Sequence, residues 1–166
     1  SWLGVASAPI VAHDVVVTPT VISDLPVTKE APPGWVKGID VRTGDTKWTF
    51  RTVPQADDFG ADSWQNESWR YSGNTNVWSL MSGGDELGFA YLPIGTATND
   101  YYGGHRLGHN LFAESLVAVD AETGRPLEDW GRAVPLPGFP ATGTVDLVED
   151  LIADWGPWTS MDRPYD

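Results

Sequence analysis

The sequence predicts an all-β fold, and three features of the 166-residue chain support this prediction. Apolar residues occur in short β-branched runs, such as Ile10–Ala12 and Val15–Val17, rather than at helical spacing, and such runs are typical of strands. Eighteen glycines and thirteen prolines supply the turns that short strands need. The third feature, a repeated turn motif, also indicates how the strands are organised.

The repeated turn first occurs within Gly38–Trp48, GIDVRTGDTKW, and recurs in part at Ala118–Gly124, AVDAETG. In the shared pattern small-x-Asp-x-x-Thr-Gly, the carboxylate can accept backbone N–H bonds across the turn and the glycine can take a positive φ. Trp48 follows its glycine by four residues, where it can pack against the next unit. In the second copy Glu128 stands at that position, and Trp130 follows two residues later. Repeated units of short strands predict a β-propeller.

The individual strands follow from the β-branched runs and from these turns. A hairpin or paired strands are expected within Val5–Thr20, around the polar pair His13–Asp14. Ser23–Pro33 is a proline-rich surface loop, and Val53–Trp69 is a long acidic loop that is either functional or simply solvated. Strands are predicted at Val15–Val17, Trp35–Ile39, Lys47–Phe50, Phe89–Leu92 and Leu116–Val119.

Composition argues against several classes of function. The formal net charge is −13, with only ten Lys and Arg, whereas nucleic-acid binding and docking on an anionic membrane surface need a basic footprint. The chain has no cysteine, so neither a disulfide nor a thiolate metal site can form. It contains no apolar run of membrane-spanning length and no signal-peptide pattern. It begins at Ser1 without Met, which indicates a processed chain or a fragment.

The chemistry is concentrated in Gly73–Arg106, GNTNVWSLMSGGDELGFAYLPIGTATNDYYGGHR. Asn76 and Trp78 place an amide and a broad ring close together, and a strand then leads into the small polar residues of Gly95–Asp100. A flat ring beside short polar groups suits a planar, polar, anionic cofactor, because the ring stacks and the polar groups fix orientation. The alternative is that Trp78 is a core residue and the other residues only form turns. The residues alone leave both interpretations open.

Three segments resemble a known family: GNTNVWSLMS, ELGFAYLPIGTATNDYYGGHR and NLFAESLVAVDAETG. They are similar to the quinoprotein dehydrogenases, eight-bladed propellers that carry pyrroloquinoline quinone (PQQ), and most of all to the glucose dehydrogenase branch. The resemblance covers roughly Val5–Gly124 and implies a partial β-propeller of about two to three four-stranded blades in residues 1–124. Residues 125–166 form a divergent tail, in which apolar spacing predicts a short helix at Thr144–Trp155.

The resemblance assigns four cofactor-binding residues. Trp78 matches the tryptophan that forms the floor of the PQQ site, and Thr98 matches a threonine that contacts the cofactor. Asn76 is a neighbour on the Trp78 loop, and Ser7 matches a hydroxyl position that contacts the cofactor in related enzymes.

The resemblance assigns neither a catalytic base nor a metal ligand. The family's catalytic aspartate lies in a His-rich Trp-Asp segment that this chain lacks, and Asp129 and Asp154 stand in a different order and context. The alcohol dehydrogenase branch has a calcium-ligating Asn where this chain has Thr96. His105 and His109 are four residues apart, but the surrounding glycines argue against a helix that would pair them as metal ligands.

The implied function is PQQ-dependent oxidation of a glucose-like sugar or an alcohol, with electron transfer to a quinone. The implied cofactors are PQQ and Ca²⁺ or Mg²⁺, and the other partners are the substrate and the remaining blades, with no nucleic acid. The implied location is the periplasm, with any attachment to the inner membrane made through a part outside this chain. The chain alone is not expected to be catalytic. The alternatives are a non-enzymatic propeller scaffold and a carbohydrate-binding β module that uses tryptophans as sugar platforms.

Overall fold

The computed structural model describes residues 3–4, 7–22 and 28–127, and the structure in these ranges consists of antiparallel strands and two short 3₁₀ helices. The predicted helix at Thr144–Trp155, together with Glu128 and Trp130, lies outside the described residues. The boundary between residues 124 and 125 therefore stays a prediction. The strands are β1 (Leu3–Gly4), β2 (Ile10–Ala12), β3 (Val15–Pro19), β4 (Val21–Ile22), β5 (Trp35–Asp40), β6 (Thr46–Arg51), β7 (Ser82–Gly84), β8 (Phe89–Ile94) and β9 (Ser115–Asp120).

The first sheet has four antiparallel strands in the order β2-β3-β5-β6. The hairpin expected within Val5–Thr20 is confirmed as β2 and β3, which pair from Ile10↔Val17 to Ala12↔Val15. Its turn residues His13 and Asp14 have φ angles of 49° and 57°, the positive values that a tight two-residue hairpin turn requires.

The second sheet contains three described strands in the order β7-β8-β9. β8 pairs along its whole length with β9, from Phe89↔Asp120 to Ile94↔Ser115. All five predicted strands are confirmed, and together with the two sheets they support the predicted partial propeller. β1 and β4 form a separate two-residue pair. No helix in the described ranges is long and apolar enough to cross a membrane.

Trp48 joins the two sheets as its motif predicts. The residue is 8% exposed, and its Nε1 donates a hydrogen bond of 3.1 Å to the Ala121 carbonyl oxygen, beyond the end of β9. Gly38 on β5 and Gly124 in the second turn both lie against the ring, where a Cβ on either glycine would overlap it. Buried side chains from both sheets share one hydrophobic cluster, which includes Val15, Val17, Val36, Trp48, Phe50, Val77, Ala90, Leu92, Val117 and Val119.

The long acidic loop is held by specific contacts. It forms the 3₁₀ helices Ala61–Ser63 and Gln65–Arg70, and the Trp64 side chain between them is 1% exposed. The Trp64 ring N–H donates to the Leu111 carbonyl oxygen at 3.3 Å. The loop is thereby fixed against the segment that leads into β9.

Candidate functional site

A cavity of about 520 Å³ opens beside the second sheet, within the size range of small-molecule sites. In the described part of the chain, three stretches line it: the residues before β7, the end of β8 with the loop that follows, and the beginning of β9. The lining residues are Asn74, Asn76, Trp78, Ser79, Pro93, Ile94, Gly95, Thr96, Asp100, Glu114, Ser115 and Leu116.

The segment from Asn74 to Trp78 is fixed on both sides by backbone contacts. The Gly34 N–H donates to the Asn74 carbonyl oxygen at 2.6 Å, and the Gly95 N–H donates to the Asn76 carbonyl oxygen at 2.8 Å. A Cβ at Gly34 would lie 2.5 Å from the Asn74 carbonyl oxygen, so only glycine permits this close approach. This wall of the cavity is therefore preorganised by the main chain.

Trp78 lies on the cavity wall with its side chain largely accessible. The residue is 57% exposed, whereas Trp64 in the interior is 1% exposed. This difference excludes a core role for Trp78 in the described part of the chain. A ring so placed can stack on a planar ligand.

Ser7 lies behind the cavity wall and does not line the cavity. Its side chain is buried, and Oγ lies 2.9 Å from the Val77 carbonyl oxygen and 2.5 Å from that of Trp78. Ser7 thus supports the backbone that carries the exposed ring. Direct contact between Ser7 and a cofactor stays a prediction.

Asn76 and Thr98 are both buried, and they differ in their relation to the cavity. Asn76 lines it, and its Nδ2 donates to Oδ1 of Asn74. Thr98 is 1% exposed and is not a lining residue, although Thr96 and Asp100 on either side of it are. Thus Trp78 lines the cavity and Thr98 does not, although the resemblance gives both residues a contact with the cofactor. The cofactor contacts of Asn76 and Thr98 stay predictions.

The main chain of Thr98 is hydrogen-bonded on both sides, whereas its side-chain hydroxyl has no partner among the described residues. Its N–H donates to the Gly73 carbonyl oxygen at 3.0 Å. Its carbonyl oxygen lies 2.9 Å from His105 Nε2 and accepts a hydrogen bond of 3.1 Å from Arg106 Nε. The buried hydroxyl has no hydrogen-bond partner among the described residues, which is unusual for a buried polar group.

The sequence did not identify His105 and Arg106 as residues that organise the site. Besides binding Thr98, Arg106 donates through Nη1 to Oδ1 of Asn110 at 2.8 Å and through Nη2 to the Thr96 hydroxyl at 3.4 Å. The GGHR motif follows the polar loop closely enough to indicate proximity, but the atoms it contacts depend on how the loop folds back.

The cavity wall is acidic. The exposed residues Asp100 and Glu114 line it, and the described lining residues include no Lys, Arg or His. Within the described ranges, no group of three or more His, Asp or Glu residues could hold a metal ion. This wall therefore supplies a stacking surface and hydrogen bonds, and it does not neutralise a ligand's negative charge.

The sequence is similar to a known protein family and to several of its members. The family model described as "PQQ: Glucose/ethanol/alcohol dehydrogenase, beta-propeller domain" matches residues 1–134. The chain is 32% identical over 127 residues to the quinate/shikimate dehydrogenase (quinone) of Acinetobacter baylyi, covering 76% of this chain and 15% of that protein. It is 31% identical over 120 residues to the quinoprotein glucose dehydrogenase of Escherichia coli, covering 72% of this chain and 15% of that protein.

Solved structures with a similar fold include quinohemoprotein alcohol dehydrogenases. The quinohemoprotein alcohol dehydrogenase of Comamonas testosteroni superposes with a TM-score of 0.61 at 23% identity, over 75% of this chain and 20% of that chain. The alcohol dehydrogenase ADHIIG of Pseudomonas putida gives a TM-score of 0.60 at 25% identity, over 74% of this chain and 19% of that chain. The chain thus spans about 15% of the length of the curated relatives it matches. It belongs to the family of PQQ-dependent glucose, ethanol and alcohol dehydrogenases, within their β-propeller domain.

Proposed function

We propose that this chain forms one wall of the PQQ site in a larger dehydrogenase that oxidises a sugar or an alcohol. The observation that carries the proposal is the exposed Trp78 ring on a cavity lined by short polar side chains, in a chain of this family. No residue here is assigned as the catalytic base, and the chain alone is not expected to be active.

The residues of the cavity suit a planar quinone that carries carboxylates. The Trp78 ring can cover one face of it, and the amides and hydroxyls of Asn76, Thr96 and Ser115 can bind polar atoms at its edge. When bound, PQQ accepts the two electrons removed from the substrate. The task of these residues is to bind and orient the cofactor.

We propose that the acidic wall contributes ligands to a divalent-cation site. Ca²⁺ and Mg²⁺ bind oxygen ligands, and Asp100 and Glu114 bring carboxylates to the cavity. A cation would also reduce the repulsion between these carboxylates and those of PQQ. We expect further ligands from outside the described residues, because two exposed carboxylates do not make a complete site.

The substrate proposal rests on the relatives. Their names include glucose, glycerol, alcohol and quinate/shikimate dehydrogenases. We propose a hydroxyl-bearing substrate, a glucose-like sugar or an alcohol, and a quinone as electron acceptor. The proposed location is the periplasm, with any attachment to the inner membrane made through a part outside this chain.

The exposure of the tryptophans favours this proposal over a carbohydrate-binding module. Among the five tryptophans in the described ranges, only Trp78 is exposed, whereas sugar platforms built from several tryptophans would expose more rings. A propeller scaffold without a cofactor would not need this ring beside a polar cavity.

The test is titration of the full-length apo-enzyme with PQQ at fixed Ca²⁺. Stacking contributes about 0.5–1.5 kcal/mol beyond area burial, so Trp78→Ala should weaken binding by up to about tenfold and Trp78→Phe should retain part of the affinity. Phe59→Ala is the matched control, because Phe59 is 58% exposed and lies away from this cavity. Unchanged PQQ affinity in Trp78→Ala would show that the ring is not the cofactor floor.

A further inference from the structure

We propose that Arg106, assisted by His105, is a positioning residue for the Thr96–Thr98 loop of the cofactor site. This inference rests on the proposed function and assigns a role to residues that do not line the cavity. In it, Arg106 acts through the two threonines and does not itself bind the cofactor.

The guanidinium group of Arg106 links two segments of chain. It binds the Thr98 carbonyl oxygen through Nε at 3.1 Å and the Thr96 hydroxyl through Nη2 at 3.4 Å, while Nη1 binds Oδ1 of the buried Asn110 at 2.8 Å. Three acceptors in different directions match the rigid fork of an arginine, and the single ammonium group of a lysine cannot reach all three with the same geometry.

His105 strengthens the link and is itself held in place. Its Nε2 lies 2.9 Å from the Thr98 carbonyl oxygen that Arg106 also binds. The Tyr71 hydroxyl donates to the His105 carbonyl oxygen, and the Tyr102 ring lies 5.9 Å from the imidazole, centre to centre. The Thr98 carbonyl is therefore bound from two side chains whose own positions are restricted.

The contacts at Thr98 indicate what the positioning achieves. Because protein groups bind its N–H and its carbonyl oxygen, the backbone orientation is fixed. Its buried hydroxyl remains without a partner in the described part of the chain. The bound backbone fixes the point from which the Thr98 side chain starts, and a buried hydroxyl without a partner is a candidate for a ligand contact. Thr96, bound to the same guanidinium, lines the cavity directly.

A double-mutant cycle on PQQ affinity in the full-length enzyme tests the proposal. Arg106→Ala should weaken PQQ binding by about tenfold, the effect of losing a hydrogen bond to a charged group. Thr98→Ala should weaken it severalfold. If Arg106 acts by placing Thr98, the double variant should bind about as weakly as Arg106→Ala alone, because the threonine is already misplaced. Arg106→Lys should recover part of the affinity.

The control is Arg42→Ala, which removes the same charge from an exposed pair with Asp14 and should leave PQQ affinity unchanged. Multiplying effects in the double variant, or normal affinity in Arg106→Ala, would overturn the inference. If Arg106→Ala does not fold, Arg106→Gln enters the same cycle. Trp78→Ala distinguishes the positioning role of Arg106 from the proposed function. If Trp78→Ala binds PQQ weakly while the Arg106 variant binds it normally, only the positioning role is contradicted. Normal binding by both removes the proposed function as well.

Discussion

The two Asp-x-x-Thr-Gly turns are nearly identical in their internal bonding. Oδ1 of Asp40 accepts the Arg42 and Thr43 N–H groups at 2.8 and 3.0 Å. Oδ1 of Asp120 accepts the Glu122 and Thr123 N–H groups at 3.1 and 2.7 Å. The glycines that end the two turns have φ angles of +78° and +71°. The five-residue pattern Asp-x-x-Thr-Gly therefore forms the same turn at both of these places.

The surroundings of the two turns are different. A Cβ at Gly44 would meet nothing within 4 Å, whereas a Cβ at Gly124 would overlap the Trp48 ring. Only the second turn accepts a hydrogen bond from Trp48, at its Ala121 carbonyl oxygen. The same Asp-x-x-Thr-Gly pattern thus forms one solvent-facing turn and one docking surface, and contact with the neighbouring sheet distinguishes them.

Removal of Trp48 should abolish the difference between the two turns, and it should have the largest effect on stability. Deleting a buried tryptophan costs about 3–5 kcal/mol, so Trp48→Ala should lower the melting temperature strongly. Trp78→Ala is the matched control, because Trp78 is 57% exposed and the loss of its ring should change stability little. Thermal unfolding followed by circular dichroism measures both. Equal, small shifts would mean that Trp48 does not hold the sheets together.

Alanine substitution of Gly44 and Gly124 should reveal a smaller difference between the turns, in the free energy of unfolding. A positive φ penalises both Gly44→Ala and Gly124→Ala by about 1–2 kcal/mol. Gly124→Ala should lose about 1–3 kcal/mol more, because its new methyl group collides with the Trp48 ring. Denaturant unfolding gives both values. In the Trp48→Ala background the two substitutions should become equivalent, and a persistent difference would contradict this explanation.

The smallest expected difference between the two turns is in how much Asp40 and Asp120 contribute to the pH dependence of stability. The Thr123 hydroxyl, with the Thr123 and Glu122 N–H groups, lowers the pKa of Asp120 from its ordinary value. The Thr43 and Arg42 N–H groups likewise lower the pKa of Asp40. Because both pKa values are depressed in the folded state, both carboxylates stabilise the protein above the unfolded-state pKa. Their contribution is lost as the pH falls through the folded-state values.

Consequently, Asp120→Asn and Asp40→Asn should each make the melting temperature less sensitive to pH between about 5 and 2. The Asp120 variant should show the larger change, because that carboxylate also accepts the Thr123 hydroxyl at 2.7 Å. Melting curves across this range provide the measurement. A pH dependence equal to that of the parent protein would show that the turn carboxylates do not contribute.

The predictable part of the fold is the part encoded locally. β3 and β8 follow from β-branched and apolar runs, and the turns follow from Asp and Gly at fixed spacing. β7 was not predicted, because its sequence Ser82–Gly84 has low strand propensity. It forms by pairing with β8 from Ser82↔Tyr91 to Gly84↔Phe89, so tertiary context overrides propensity there.

The site was less predictable, because its contacts also depend on tertiary structure and not on the local sequence alone. The pattern around Trp78 indicated a flat ring beside polar groups, but only the structure shows that the ring faces a cavity. Thr98, to which the resemblance gives a cofactor contact, is buried and does not line that cavity. The roles of His105 and Arg106 depend on which carbonyl oxygen the folded loop presents to them, and side-chain identity and spacing do not encode this.

The Trp48–Ala121 contact also has a consequence for biosynthesis. Its two residues are 73 positions apart, whereas the hairpins of the first sheet close between near neighbours. Ribosomes add about 5–20 residues per second, so the first sheet emerges about 4–15 s before the turn that covers its tryptophan. During that interval an apolar ring and the sheet face around it are open to other chains. The second turn can cover the Trp48 ring only after this interval, so the first sheet presents uncovered apolar surface while the chain is still being made.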